Sequence, residues 1–347
     1  MYIKKILLAT VLVGLVLLGI FSYHIYNVIL APNTSFSSQT ETVYIPTGAT
    51  YAVARDSLGK VLDNMENFDV VAQKKGYIGH VRAGRFILKK NMNNNQIIDV
   101  LRSRNSPVSV IYNNQERLRD LAGRVATQIE ADSISLLKAM QDTSFLAANG
   151  FTSENALAMY IPNKYEFFWN TSAEDFRERM LKEYNRFWTP EKLAKAKDIG
   201  LTPQQVAVLA SIVQKETSKT EERPKVAGVY MNRFHKGWKL EADPTVIYAI
   251  KRQNNDFDTI IKRVLYKDLQ LDSPYNTYKY ASLPPGPITM PDISSLNAVL
   301  NYTKHDYYYF VADVENFGYH KFSKTLSEHN RNKRAYVNWI NKQGINR

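Results

Sequence analysis

The chain contains no cysteine. Disulfides, cysteine nucleophiles, thiolate metal sites and a lipid-modified N-terminal cysteine are excluded together. It also lacks any dense lysine or arginine tract, any zinc-finger spacing, any metal-ligand pattern and any phosphate-binding loop, so no metal and no cofactor is expected. No internal repeat is present. The 45 basic residues outnumber 33 acidic ones, for a net charge of +12. That excess fits an anionic partner, whether membrane surface, cell-wall polymer or nucleic acid, and fits plain solubility equally well. What the chain does have is apolar and aromatic content, 44% and 12%, which argues for packed structure over disorder. Its 347 residues leave room for about two or three domains.

Lys4 and Lys5 precede a stretch without charged residues that runs from Ile6 through Phe21 and on to Leu30. About 20 mostly apolar residues cross the hydrocarbon core of a bilayer as a helix. Tyr2 on one side and Tyr23 and Tyr26 on the other suit the two interfaces. No lysine or arginine follows until Arg55, so the positive-inside rule places the N-terminus in the cytoplasm and the remainder outside, as for a single-pass protein of a cytoplasmic membrane. A cleaved signal peptide is the competing reading. Its apolar region would exceed the usual span of roughly 7–15 residues, and Ala31, with Ile29 before it and Pro32 after it, makes a poor cleavage site.

The expected fold class is α+β. Residues 1–31 form a cytoplasmic stub and transmembrane anchor, and 32–42, rich in Ser, Thr and Asn, a tether. Residues 43–112 alternate strand-like and helical stretches: Val43-Tyr44-Ile45, then helices over Tyr51 to Leu62 and Met65 to Lys75, then Gly84 to Leu88, a short helix over Asn95 to Arg102, and a strand over Pro107 to Tyr112. The strand–helix–helix–strand order resembles a LysM-like module, a fold that often grips peptidoglycan sugars; a small α+β spacer without ligand accounts for it as well. Residues 113–200 read as a helical connecting region containing the aromatic cluster Tyr165, Phe167, Phe168 and Trp169, and 201–347 as a mixed α+β domain with a helical core.

In that last region Thr202-Pro203-Gln204-Gln205 has the form of a helix start, with a capping threonine, proline at the first position and glutamine completing a capping box. Positions 206, 209, 213 and 216 fall on one face, so Glu216 continues the apolar stripe of Val206, Leu209 and Val213. A carboxylate there is costly unless paired or protonated. Partial burial raises its pKa toward the state a general acid needs near neutral pH. The competing reading is a frayed turn, or an ion pair with Arg223 or Arg233. Glu221 and Glu222 follow Thr220 and open the next helix, where acids suit the dipole, so they are expected to be structural. Glu328 is explained by a capping box with Thr325.

The stretch from Leu209 to Asn330 resembles the endolytic murein transglycosylases, or YceG-like family. The matching pieces include Ala210-Ser211-Ile212-Val213-Gln214-Lys215-Glu216-Thr217, Glu222-Arg223, Val226-Ala227-Gly228-Val229-Tyr230-Met231-Asn232-Arg233 and Asp243-Pro244-Thr245-Val246-Ile247-Tyr248. Pro274-Tyr275-Asn276-Thr277-Tyr278, Leu283-Pro284-Pro285-Gly286-Pro287-Ile288, Tyr309-Phe310-Val311-Ala312, His320-x-Phe322 and Glu328-His329-Asn330 follow in the family's order. The resemblance implies an endolytic peptidoglycan lytic transglycosylase, a lyase that leaves 1,6-anhydro-N-acetylmuramic acid ends and terminates nascent strands. Glu216 takes the place of the family's catalytic glutamate. Gln214 and the pair Glu241-Ala242 depart from the usual Glu and Gln-hydroxyl residues.

Substrate contacts are expected from Asn232, Asp243, Thr245, Tyr275, Asn276, Thr277, Tyr278 and His320. Asp243 reads equally as a helix cap before Pro244. His320 shares a strand face with Phe322 and could orient Glu216, touch substrate or be structural. The expected partners are peptidoglycan glycan strands and the membrane, with peptidoglycan synthases implied by the resemblance; nucleic acid is not expected of a chain outside the membrane. Two rival readings stay open: a muramidase using Asp243 as second carboxylate, and a membrane-tethered wall-binding scaffold without activity.

Overall fold

The computed structural model describes residues 2–103 and 105–342. Met1 of the expected stub and residues 343–347 of the expected C-terminal domain lie outside the described residues. The chain forms two compact units, one of residues 1–110 with 127–131 and 165–172, the other of 111–126, 132–164 and 173–347. Much of the stretch read as a connecting region thus belongs to the second unit.

In the first unit, helix α1 (Tyr2–Ile25) has no buried residue, and with the wide turn Tyr26–Leu30 it is long and apolar enough to cross a membrane. Val28 in that turn already belongs to the unit's core. Segment 32–42, read as a tether, is stitched down instead. Asn33 is buried, its amide donating to Asn94 Oδ1 at 2.6 Å and to the Asn64 carbonyl at 2.8 Å. A buried amide with its partners in place holds backbone that composition alone would leave loose.

Strand β1 (Thr40–Ile45) leads to α2 (Tyr51–Leu58) and α3 (Met65–Lys74), then to β2 (Gly84–Lys89), which pairs antiparallel with β1, Val43 opposite Phe86. Helix α4 (Asn94–Arg102) begins with a capping box of Asn93 and Gln96. Ile45, Leu58, Phe68, Leu88, Ile97 and Leu101 are wholly buried between these elements. Strands β3 (Pro107–Tyr112) and β4 (Asn163–Phe168) pair with each other.

The second unit is mainly helical. Helices α5 (Leu118–Ala126), α6 (Ser133–Met140) and α7 (Thr143–Ala148) precede β4; α8 (Ala173–Phe187) and α9 (Pro190–Asp198) follow it. Then come α10 (Pro203–Glu216), α11 (Arg223–His235), α12 (Asp243–Asn254) and α13 (Ile293–Leu300). Strands β5 (Tyr309–Ala312) and β6 (His320–Ser323) form a hairpin with Phe310 opposite Phe322, and α14 (Leu326–Lys342) closes the order.

Helix α10 begins as its sequence dictates: Thr202 accepts from the Gln205 amide, Gln205 accepts from the Thr202 amide, and Pro203 stands in the first turn. Such a cap stabilises a helix by about 1 kcal/mol. The single apolar stripe is an underestimate, however. Every residue from Val206 to Val213 is buried, because α9, α11, α12 and α13 all pack around α10. Burial ends only in the last turn, where Lys215 reaches Glu116 at 2.7 Å. Glu216 is half-buried.

Candidate active site

Glu216 lies in a cleft of about 400 Å³. Tyr230 and Arg233 of α11, Asp243 of α12, Tyr278, strand β5, His320 of β6, and His329, Asn330 and Lys333 of α14 line it as well. The Tyr230 hydroxyl donates to Glu216 Oε1 at 2.7 Å. Neither arginine weighed as an ion-pair partner serves Glu216: Arg223 pairs with Asp292 at 2.9 Å and Arg233 with Glu241 at 2.9 Å.

Burial pushes the Glu216 carboxyl up to about 7, and the nearby Asp243 adds to the rise. The Tyr230 hydrogen bond and the nearby His320 act in the opposite direction without cancelling it. Near neutral pH the group is therefore divided between acid and base, the condition that general acid–base chemistry requires.

Asp243 occupies the first turn of α12 but does not cap it; the capping position is Ala242, which makes no side-chain hydrogen bond. The Asp243 carboxylate instead accepts from the Tyr278 hydroxyl at 2.6 Å, on the cleft wall. Phe310 stands between the two sides of the cleft, edge-on to Tyr230 at 5.9 Å and to His320 at 5.0 Å.

Of the nine residues singled out in the sequence, the cleft thus gathers Glu216, Asp243, Tyr278 and His320. The other five stand behind it. Asn232 donates to the carbonyls of His305 at 2.7 Å and Tyr307 at 2.9 Å, holding the chain that leads into β5. Thr245 and Thr277 are buried and share a 2.8 Å hydrogen bond, and the Thr277 hydroxyl takes the Ala242 amide at 3.0 Å. Asn276 ties its own loop together through the carbonyls of Leu269 and Leu271. Tyr275 turns away to Glu154 at 2.8 Å. Thr245, Asn276 and Thr277 order the start of α12 and the loop that carries Tyr278, and none of the five lines the cleft.

Three residues of the site were not read from the sequence. Tyr230 stood out only as one residue of the matching stretch Val226 to Arg233; a buried phenol needs a polar partner, and Glu216 supplies it. Glu241 adopts a left-handed backbone, φ 52°, which costs a non-glycine residue of order 1 kcal/mol or more. Its pairing with Arg233 and its amide bond to the Thr277 carbonyl at 3.1 Å hold it there, next to Asp243. Glu222 departs furthest from expectation. It makes no capping bond to α11; its carboxylate is buried and grips His320.

Gln214 has its own account. Its amide donates to the Met290 carbonyl at 3.3 Å and accepts from the Asp292 amide at 2.7 Å. A carboxylate could not make the first of these bonds.

One carboxyl raised toward neutrality stands in a cleft walled by aromatic and polar groups, in an α+β chain whose first helix is long and apolar enough to cross a membrane. The chain belongs to the YceG-like family, whose sequence profile matches residues 43–335. It is 31% identical to a Bacillus subtilis (strain 168) protein named endolytic murein transglycosylase, over 91% of this chain and 90% of that one. A Streptococcus pneumoniae protein of the same name is 26% identical over 92% of this chain, which spans 62% of that relative's length. A crystal structure of a YceG-like protein from Listeria monocytogenes superposes with a TM-score of 0.57 at 28% identity, covering 85% of this chain and 99% of that one.

Proposed function

We propose that this chain is an endolytic lytic transglycosylase of peptidoglycan, cutting the bond between N-acetylmuramic acid and N-acetylglucosamine within glycan strands. The observation that carries the proposal is Glu216, a half-buried carboxyl raised to about 7 in the cleft it lines, in a chain whose relatives are named for this activity.

Glu216 in its acid form protonates the glycosidic oxygen as the bond to the anomeric carbon breaks. As a carboxylate it then takes the proton of the muramic acid C6 hydroxyl, whose oxygen closes onto the anomeric carbon. The net change moves one proton from the C6 oxygen to the departing oxygen, consumes no water and leaves a 1,6-anhydro end. One group performs both transfers, and the intramolecular nucleophile needs no second carboxylate to activate it. Asp243, bonded to Tyr278, has the place of a wall residue that biases Glu216 electrostatically. Its presence in the same cleft also keeps a muramidase as the second reading, with Asp243 directing a water.

The proposal extends to location and role. The N-terminal lysines are cytoplasmic, α1 crosses the membrane, and the rest of both units lies outside, on the side where glycan strands are made. Cuts there end strand growth, in company with peptidoglycan synthases. Mass spectrometry of glycan strands treated with the protein tests the reaction: anhydro ends support it, and intact strands overturn it.

A further inference from the structure

Glu222 is 6% exposed, and an acid so placed is costly to bury unless its oxygens are satisfied. Its partners do not belong to the helix it precedes. One oxygen accepts the backbone amide of His320 at 2.7 Å, and the other lies 2.9 Å from His320 Nδ1. A carboxylate has only acceptors, so the hydrogen of this second bond sits on Nδ1. In the neutral imidazole Nε2 is then a bare acceptor. Phe310 and Phe322 pack edge-on against the ring, at 5.0 and 6.5 Å, and fix its plane. The same ring lines the Glu216 cleft. Main chain and side chain of His320 are thus held by one residue, at the expense of burying a charge that an exposed helix-capping acid would not require.

Resting on the glycan-cleaving reading of the cleft, we propose that Glu222 is a positioning residue for that reaction: it locks His320 in the tautomer that presents Nε2 to the bound sugar as an acceptor for an O–H or N–H group beside Glu216. Orientation of the donor group on the sugar, rather than proton transfer to Glu222, is what the pair supplies. An imidazole in the other tautomer would meet the same sugar hydrogen with a hydrogen of its own.

Glu222→Gln tests this with almost no change of shape. The amide oxygen can still accept the His320 backbone N–H, but the amide nitrogen now faces Nδ1 and donates to it, which drives the ring to the Nε2–H form. Nitrogen NMR of histidine-labelled protein reads the tautomer without substrate. We expect Nδ1–H in the wild type and Nε2–H in Glu222→Gln. We expect kcat on glycan strands to fall about 10²-fold or more, with KM changed little, in a protein of unchanged circular dichroism. In a His320→Ala background the same substitution should cost almost nothing further.

A wild-type His320 protonated on Nε2 overturns the proposal, and this holds even if the variant fails to fold. So does a tautomer swap that leaves kcat intact, or an undiminished loss in the His320→Ala background. A wild-type chain that cleaves no glycan overturns the parent reading instead, and the nitrogen spectrum tells the two failures apart.

Discussion

Tyr230 donates to Oε1 of Glu216 at 2.7 Å, linking two helices, α10 and α11, that pack side by side in the second unit. The bond favours the carboxylate form of a group that burial holds in the acid form. One neighbour thus aims Glu216 and moderates the rise that burial imposes on it.

Tyr230→Phe removes that donor without changing the ring. An oriented hydrogen bond to a charged group contributes about 1.5–3 kcal/mol. The expected result is a loss of roughly 10- to 100-fold in kcat/KM, with the alkaline limb of the pH profile moved upward because the anion has lost its partner. Initial rates of strand cleavage from pH 5 to 9 measure both. An unchanged profile would remove Tyr230 from the site's electrostatics.

Asp243→Asn separates the two readings of the cleft. Asp243 raises the Glu216 carboxyl, so its neutral replacement should shift the alkaline limb downward. The anhydro product should persist, with a far smaller loss than Glu216→Gln. A loss matching that of Glu216→Gln would give Asp243 a direct part in catalysis.

Glu216 also leaves a mark on stability. Its pKa is raised from 4.5 to about 7 in the fold, so the native state binds more protons than the unfolded chain between those values. Stability from this group is full below about 4.5 and is lost as pH rises through 7. Glu216→Gln, always neutral, escapes that loss. Thermal melts should show the variant close to wild type at pH 4 and increasingly more stable than wild type up to pH 7. A constant difference across that range would contradict the raised value.

The helix carrying the acid was legible from end to end, because caps and proline act locally: Thr202, Pro203 and Gln205 stand as their chemistry requires. The shared strand face of His320 and Phe322 was legible because period-two spacing is local, and in the fold both rings meet Phe310. What composition could not separate was contact from support. Tyr275, Asn276, Thr277 and Tyr278 carry similar polar groups in one loop, yet only Tyr278 lines the cleft with Glu216. The difference depends on which way a buried loop turns. Glu222 was read as structural from a local rule, that an acid before a helix suits the dipole; its bond to a strand 98 residues later lies beyond the reach of any local rule.

Orientation has a separate test. Protease added to intact spheroplasts should digest the two units beyond α1; complete protection would place them in the cytoplasm.

Product analysis in heavy-oxygen water tests the central claim most directly, because it asks whether Glu216 drives cleavage without water. Glycan strands are digested in labelled water by the wild type and by Glu216→Gln, and the new ends are weighed. The account predicts internal cuts by the wild type, ends lacking one water and carrying no label, and a rate lower by about 10²- to 10⁴-fold in Glu216→Gln. Labelled reducing ends, or equal rates in the two proteins, would contradict it.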